Sequence, residues 1–368
     1  MITYMSSNFY CVIMAGGIGT RFWPMSRASR PKQFLDIADT GKSFLRHTYE
    51  RFSQIVPQDN ILVVTTDRLG NLVREQIPEL KENNLLLEPY GRDTAPCIAY
   101  ATYTLLKRNP DATMVVTPAD HIIRDNDAFK EDLQAALEYS STRDVLTTLG
   151  MMPTRPDPNY GYIQVSGGRY NADDRKVMKV KTFTEKPDVE LAKVFISSGE
   201  FLWNSGIFVW RADSIRAEME RYLPEVTRLF RGWENAIGSP VEDMFIEKAY
   251  SDCIKISIDY GVMEKTAKAW LYPARFRWAD VGTWESLYNI VNVKDKDGNV
   301  FNAKHVLSKD NSGSLVISEN KDKLLAVSGL EDFIVIDTED ALLICPRSDK
   351  RVKDFTSGLA MPGYEQFK

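Results

Sequence analysis

Histidine is scarce in this chain, with three in 368 residues. His47, His121 and His305 form no helical His-x-x-x-His pair, so a histidine-based metal centre has no starting point. The four cysteines, Cys11, Cys97, Cys253 and Cys345, are scattered. They predict reduced core residues and exclude a disulfide framework or a zinc cluster. No apolar run approaches the ~20 residues that span a bilayer. Met1 to Asn8 lacks a cationic n-region and Phe9 to Ala15 is short for a signal peptide, so a cytoplasmic protein without a membrane partner is expected. An excess of positive charge is missing too: 46 basic residues face 51 acidic ones, which argues against a nucleic-acid partner. Two phosphate loops are also absent. No Gly-x-x-x-x-Gly-Lys-Ser/Thr string occurs, and the third glycine of a dinucleotide fingerprint starting at Gly17 is replaced by Phe22, which cannot allow the close helix–strand packing that glycine serves.

What is present is a different glycine loop. Met14-Ala15-Gly16-Gly17-Ile18-Gly19-Thr20-Arg21-Phe22-Trp23-Pro24 follows the first apolar run, with Arg30-Pro31-Lys32-Gln33-Phe34-Leu35 a few residues on. Glycines let backbone amides approach an anion with no Cβ in the way, and successive amides make a concave anion nest. Arg21 and Lys32 supply countercharge. Pro24 disfavours an immediate helix, because the residue before proline is pushed out of the α region.

Strand-like runs at Phe9–Met14, Ile61–Thr66, Met114–Thr117 and Val145–Gly150 alternate with helical patterns at Ser43–Phe52, Leu69–Lys81, Ala95–Leu106 and Ala128–Tyr139. This alternation predicts an α/β fold with a mostly parallel, Rossmann-like sheet. Ligands on such sheets bind beyond the carboxyl ends of the strands; both the glycine loop and Pro118-Ala119-Asp120 fall there. A helix is expected at Trp284–Val291. After the polar break Lys294–Asn299 the pattern becomes short strands at Ser314–Ile317, Leu324–Val327, Phe333–Asp337 and Ala341–Cys345. The expected division is a large domain over residues 1–291 and a small C-terminal β domain over 292–368.

The glycine loop resembles the N-terminal signature of the sugar-1-phosphate nucleotidylyltransferases. Phe22-Trp23-Pro24-Met25-Ser26-Arg27 and Pro31-Lys32-Gln33-Phe34-Leu35 narrow the likeness to the mannose-1-phosphate guanylyltransferases. It continues through Glu88-Pro89, Gly91-Arg92-Asp93-Thr94-Ala95-Pro96, Pro118-Ala119-Asp120-His121, Gly161-Tyr162-Ile163, Glu185-Lys186-Pro187, Trp203-Asn204-Ser205-Gly206-Ile207-Phe208, Asp259-Tyr260-Gly261-Val262-Met263-Glu264 and Trp278-Ala279-Asp280-Val281-Gly282-Thr283-Trp284. The resemblance implies a GT-A-like nucleotidyltransferase fold and a left-handed β-helix at the C-terminus. It also implies GTP and mannose 1-phosphate as partners, and Mg2+ as cofactor.

The same resemblance implies roles for individual residues. Nucleotide would lie along Ala15, Gly16, Gly17, Gly19, Thr20, Arg21 and Lys32, with Glu88, Arg92, Asp93 and Thr94 facing the base. Sugar phosphate would meet Gly161, Glu185, Lys186, Asn204 and Asp259, and metal would meet Asp120 and Asp280. Arg21, Lys32 and Lys186 would act in catalysis through their charge. Nucleotidyl transfer needs in-line positioning and charge neutralisation more than covalent help, and magnesium takes a few carboxylates plus water and substrate oxygens.

Each assignment has a plainer rival. Asp120 could cap a turn, and Asp280 the helix near Trp284. Asp93 stands where asparagine is expected in the family, and capping the Thr94 helix is its leading role. Glu185–Lys186 could be a surface ion pair; neighbours on extended backbone point apart, so a shared role requires a kink. His121 reads as structural. A different sugar 1-phosphate such as a manno-heptose, or a non-catalytic sugar-nucleotide sensor, are the alternative functions. The sensor predicts loss of one of Arg21, Lys32, Asp120, Lys186 or Asp280, and all five are present. The β-rich tail suggests a homodimer contact.

Overall fold

The computed structural model describes residues 6–37, 39–168, 176–349 and 351–368. Two compact units emerge: Met1–Gly16, His47–Ala119 and Ile123–Trp278 form the first, while Gly17–Arg46, Asp120–Ile122 and Ala279–Lys368 form the second.

Strands of the first unit are β1 (Phe9–Met14), β2 (Ile61–Thr66), β3 (Leu85–Glu88) and β4 (Thr113–Pro118). After the short β5 (His121–Ile123) come β6 (Leu146–Met151), β7 (Tyr162–Val165), β8 (Met178–Thr184), β9 (Phe201–Arg211) and β10 (Ala269–Pro273). All but β5 join one nine-stranded sheet in the order β3-β2-β1-β4-β9-β6-β10-β8-β7. Its β3-β2-β1-β4 half is parallel throughout, as the apolar runs predict for strands buried on both faces. β9 runs antiparallel to both β4 and β6. Met14 pairs with Pro118 and Thr66 with Glu88, so these strands end at one edge of the sheet. The helix Thr94–Arg108 buries an unbroken run from Ala95 to Leu105, and its Ile98, Ala101 and Leu105 join Val12, Val64 and Val116 of the sheet in one core.

In the second unit β11 (Trp278–Asp280) pairs with β5. Beyond the helix Trp284–Ile290, the chain coils through β12 (Val300–Asn302), β13 (His305–Lys309), β14 (Leu315–Ser318), β15 (Leu324–Ser328), β16 (Phe333–Asp337) and β17 (Leu342–Pro346). Parallel stacking of β12, β14 and β16 on one side and of β13 and β15 on another gives a β-helix-like pattern, closed at one edge by antiparallel β17. Its core takes in Phe22 and Phe44 of the glycine-loop segment with Trp284, Leu315, Ile334 and Leu343. No α-helix among the described residues follows the glycine loop until Phe44. Among the described residues no helix is long and apolar enough to cross a membrane.

Candidate active site

The glycine loop is an open row of amides. Among the described residues, the backbone N–H groups from Gly17 to Arg21 donate no hydrogen bond. Buried amides are normally paired, so this stretch is built to face solvent or an anion. Ala15 stands outside it: its N–H already donates to Val64 O at 2.8 Å. The loop is held from behind. Gln33 Nε2 donates to Gly17 O at 2.8 Å, and Ser26 Oγ donates to Ile18 O at 3.1 Å. Gly19 has φ 64°, and a Cβ there would meet Lys32 Cβ at 2.7 Å, so glycine is required by conformation and by contact. Phe22 is buried edge-on against Trp284, with ring centroids 4.7 Å apart, and Trp284 Nε1 donates to Trp23 O at 3.1 Å. This anchor explains why Phe22 stands where a dinucleotide loop carries glycine.

Four charged groups surround this loop within the second unit. Lys32 is buried, 3% exposed, with Nζ 2.9 Å from Asp120 Oδ2 and 3.9 Å from Asp280 Oδ1. The rings of Phe22 and Phe44 flank the ammonium at 5.4 and 5.2 Å. Burial pushes the Asp120 carboxyl up, but Lys32 and His121 outweigh it and hold the group well below the usual carboxylate range. His121 is thus an electrostatic neighbour of Asp120. Arg21 is exposed and makes no ion pair among the described residues; its guanidinium lies over Gly282, where a Cβ would meet Nη1 at 3.3 Å. The rival readings of the two aspartates lose their caps. Thr283 and Ser286 form a reciprocal capping box on the helix after Asp280, and the helix Asn126–Ser141 has Asp125 at its cap position, well past Asp120.

In the first unit, Glu88 ends β3 as a buried carboxyl, 4% exposed. Tyr250 donates its hydroxyl to Glu88 Oε1 at 2.9 Å, while Oε2 lies against Gly16, where a Cβ would come within 3.2 Å. Burial raises the Glu88 pKa to about 7, offset in part by the Tyr250 hydrogen bond. Arg92 donates to the carbonyls of Tyr250 and Ser251 at 3.1 and 3.2 Å, at the end of the helix Glu242–Ser251. Asp93 occupies the N-cap of the Thr94 helix with φ 69° and accepts from Thr94 N at 2.8 Å. Thr94 Oγ1 accepts from Ile258 N at 2.8 Å.

The remaining predicted residues gather in a second cluster of the first unit. Glu185 and Lys186 do sit at a kink: Lys186 has φ 49°, and its Nζ returns to Glu185 Oε1 at 3.0 Å. Glu185 Oε2 is buried with no hydrogen-bond partner. A Cβ on Gly161 would sit 2.1 Å from that oxygen, so glycine makes the room it occupies. A register shift between β6 and β9 spans the Asn204–Phe208 stretch, and such bulges re-aim side chains. Asn204 donates to Asp259 Oδ1 at 2.9 Å and accepts from Gly206 N at 3.1 Å. Burial, then the nearby Glu185 charge, raise the Asp259 pKa to about 7. Tyr250, which holds Glu88, belongs to no motif of the sequence.

Residues 10–296 match the family described as Nucleotidyl transferase, and residues 304–355 match the MannoseP isomerase/GMP-like beta-helix domain. A mannose-1-phosphate guanylyltransferase of Salmonella montevideo is 38% identical over 341 residues, covering 90% of this chain and 70% of the relative. One of Escherichia coli K12 is 35% identical over 347 residues, covering 93% and 71%. A solved Thermus thermophilus structure described as mannose-1-phosphate geranyltransferase superposes with a TM-score of 0.82 at 32% identity, covering 96% of this chain and 100% of the other. A Helicobacter pylori structure described as mannose-6-phosphate isomerase superposes at 0.59 with 27% identity, covering 74% and 100%. The chain belongs to the nucleotidyl transferase family and, within it, to the mannose-1-phosphate guanylyltransferases.

Proposed function

We propose that this chain transfers GMP from GTP to α-D-mannose 1-phosphate, giving GDP-mannose and pyrophosphate. A phosphate oxygen of the sugar phosphate attacks the α-phosphorus of GTP, the bond between that phosphorus and the bridging oxygen to the β-phosphate breaks, and pyrophosphate leaves with the electron pair. The attacking oxygen already carries charge near neutral pH, since the second ionisation of a phosphomonoester lies near 6, so no general base is needed. The open amides from Gly17 to Arg21, with the exposed Arg21 beside them, carry the reading. They suit the triphosphate as anion nest and bidentate cation.

The donor set of Asp120 and Asp280 fits a divalent metal. Two carboxylates converge on one cationic position, held in this structure by Lys32, and two hard oxygen donors plus substrate and water oxygens are what magnesium prefers. Such an ion neutralises charge on the α-phosphate and the departing pyrophosphate. Lys32, buried between the carboxylates, orients them and adds countercharge.

Glu88 Oε2 and the backbone beside it suit the N1–H and N2–H2 donors of guanine, with Arg92, Asp93 and Thr94 shaping that loop through their hydrogen bonds. Glu185, with an unpartnered oxygen beside Gly161, suits a sugar hydroxyl, Lys186 suits the sugar's phosphate, and Asn204 and Asp259 complete the hydroxyl contacts. The catalytic portion we assign to residues 1–291 is supported by a family match ending at 296, and the β-rich portion from 292 by one starting at 304. Four free, buried cysteines fit a cytoplasmic enzyme. Exposed Leu307, Leu324, Leu342 and Ile344 support a homodimer, which light scattering tests.

The deciding experiment is pyrophosphate release over a panel of nucleoside triphosphates and sugar 1-phosphates, manno-heptose 1-phosphate included. GTP with mannose 1-phosphate is expected to lead. Absence of turnover with that pair overturns the proposal.

A further inference from the structure

We propose that Tyr250 is a specificity-positioning residue, pinning Glu88 by one carboxyl oxygen so that the other is presented to the donor edge of the purine base. The inference rests on the guanylyl-transfer reading above and concerns how the site tells guanine from adenine.

Glu88 makes one hydrogen bond among the described residues, from the Tyr250 hydroxyl to Oε1 at 2.9 Å. Tyr250 is itself fully buried, 0% exposed, and its ring packs near Phe230, so the hydroxyl has little freedom to follow a wandering partner. Oε2 is left against Gly16 at the start of the glycine loop, with no donor of its own. That oxygen is not among the buried unpartnered atoms, so a ligand donor can reach it, and a hydrogen bond to a carboxylate is among the stronger kind. The same helix end holds the rest of the loop: Tyr90 donates to Glu247 Oε1 at 2.5 Å, and Arg92 donates to Tyr250 O at 3.1 Å. Glu88, Tyr90 and Arg92 are thus all fastened to the helix Glu242–Ser251, and Tyr250 is the helix residue that holds the Glu88 carboxylate.

Guanine offers N1–H and N2–H2 to such an oxygen. Adenine offers an N1 acceptor, which meets the carboxylate as repulsion, and hypoxanthine offers N1–H alone. Sites built to receive a particular hydrogen bond reject analogues that lack it far more strongly than apolar pockets do. That rejection depends on the acceptor being held still.

The test is Tyr250→Phe, assayed for kcat/KM with GTP, ITP and ATP at saturating mannose 1-phosphate. The GTP-over-ATP preference is expected to fall about tenfold, the worth of one hydrogen bond, with the GTP-over-ITP preference falling less and the KM for mannose 1-phosphate unchanged. A merely structural tyrosine would raise the KM of all three nucleotides together, and an unchanged GTP-over-ATP ratio overturns the inference. Should Tyr250→Phe not fold, Glu88→Gln decides: loss of the same preference supports the inference, and its retention overturns it. Wild-type protein without turnover on any triphosphate would instead sink the guanylyl-transfer reading.

Discussion

In the second unit Asp120 and Asp280 converge on a buried lysine, and the lysine charge holds Asp120 ionised. In the first unit Glu88 and Asp259 sit in apolar or acidic surroundings that raise both to about 7, and Glu185 keeps one buried oxygen without a partner. The same side-chain chemistry therefore serves two ends. On the reading proposed above, the two carboxylates that share the lysine would share a metal instead. Burial disfavours the charge of Glu88 and Asp259, and on the reading proposed above these two and the unpartnered Glu185 oxygen would take neutral donors, the N–H groups of a base and the hydroxyls of a sugar. The glycine positions differ likewise: the amides from Gly17 to Arg21 stay open, as the proposed phosphate contact requires, whereas Gly16 and Gly161 make space for carboxylates.

Breaking the ionised side should have the largest effect. Asp280→Asn is expected to lower kcat/KM by roughly a thousandfold, since metal charge stabilisation is worth several kcal/mol, with an unchanged circular-dichroism spectrum; chelation with EDTA should do the same to the wild type. Near-normal turnover of the variant removes Asp280 from the metal site.

The pH dependence of stability should separate the two kinds of carboxylate by sign. Glu88 is raised above its unfolded value, so its contribution is complete below about pH 4.5 and is lost as pH rises through about 7. The unionisable Glu88→Gln should therefore gain on the wild type by about 3 kcal/mol across that window. Asp120 is lowered, so its contribution is present at neutral pH and fades in acid. Thermal unfolding of Glu88→Gln and Asp120→Asn against pH should give opposite slopes relative to wild type. Parallel slopes would erase the distinction.

On the neutral-donor side, Lys186→Ala should raise the KM for mannose 1-phosphate about thirtyfold, the worth of one charge-assisted hydrogen bond, while the KM for GTP moves little. Equal rises in both would unseat the sugar-phosphate assignment. Gly161→Ala should have the smallest effect. Its Cβ would displace the end of the Glu185 side chain, which can swing away without unfolding anything. An approximately tenfold rise in sugar KM is expected, with a melting temperature within a few degrees of wild type. A large loss of stability instead would mean that Glu185 is chiefly structural.

The parallel half of the sheet was legible because its strands are near-continuous runs of apolar and β-branched residues, as in Phe9–Met14 and Ile61–Thr66. β9 was hidden because Asn204, Ser205 and Gly206 interrupt its apolar pattern with a bulge. β8 was hidden because it is largely exposed and alternates Lys with apolar residues. Conformation at single residues also escapes a linear pattern. Nothing local announces that Lys186 adopts φ 49° and so folds back on Glu185. Long-range packing escapes it further: the grouping of Phe22 and Phe44 with Trp284 and the β-helix core joins segments far apart along the chain. Tyr250 lies 162 residues from Glu88 and carries no motif.

A crystal structure with GTP, mannose 1-phosphate and Mg2+ tests the division of carboxylates most directly. The metal is expected on Asp120 and Asp280, guanine on Glu88, and mannose hydroxyls on Glu185 with Asp259 near them. A metal held by Glu185 and Asp259, with Asp120 and Asp280 still paired only to Lys32, would contradict it.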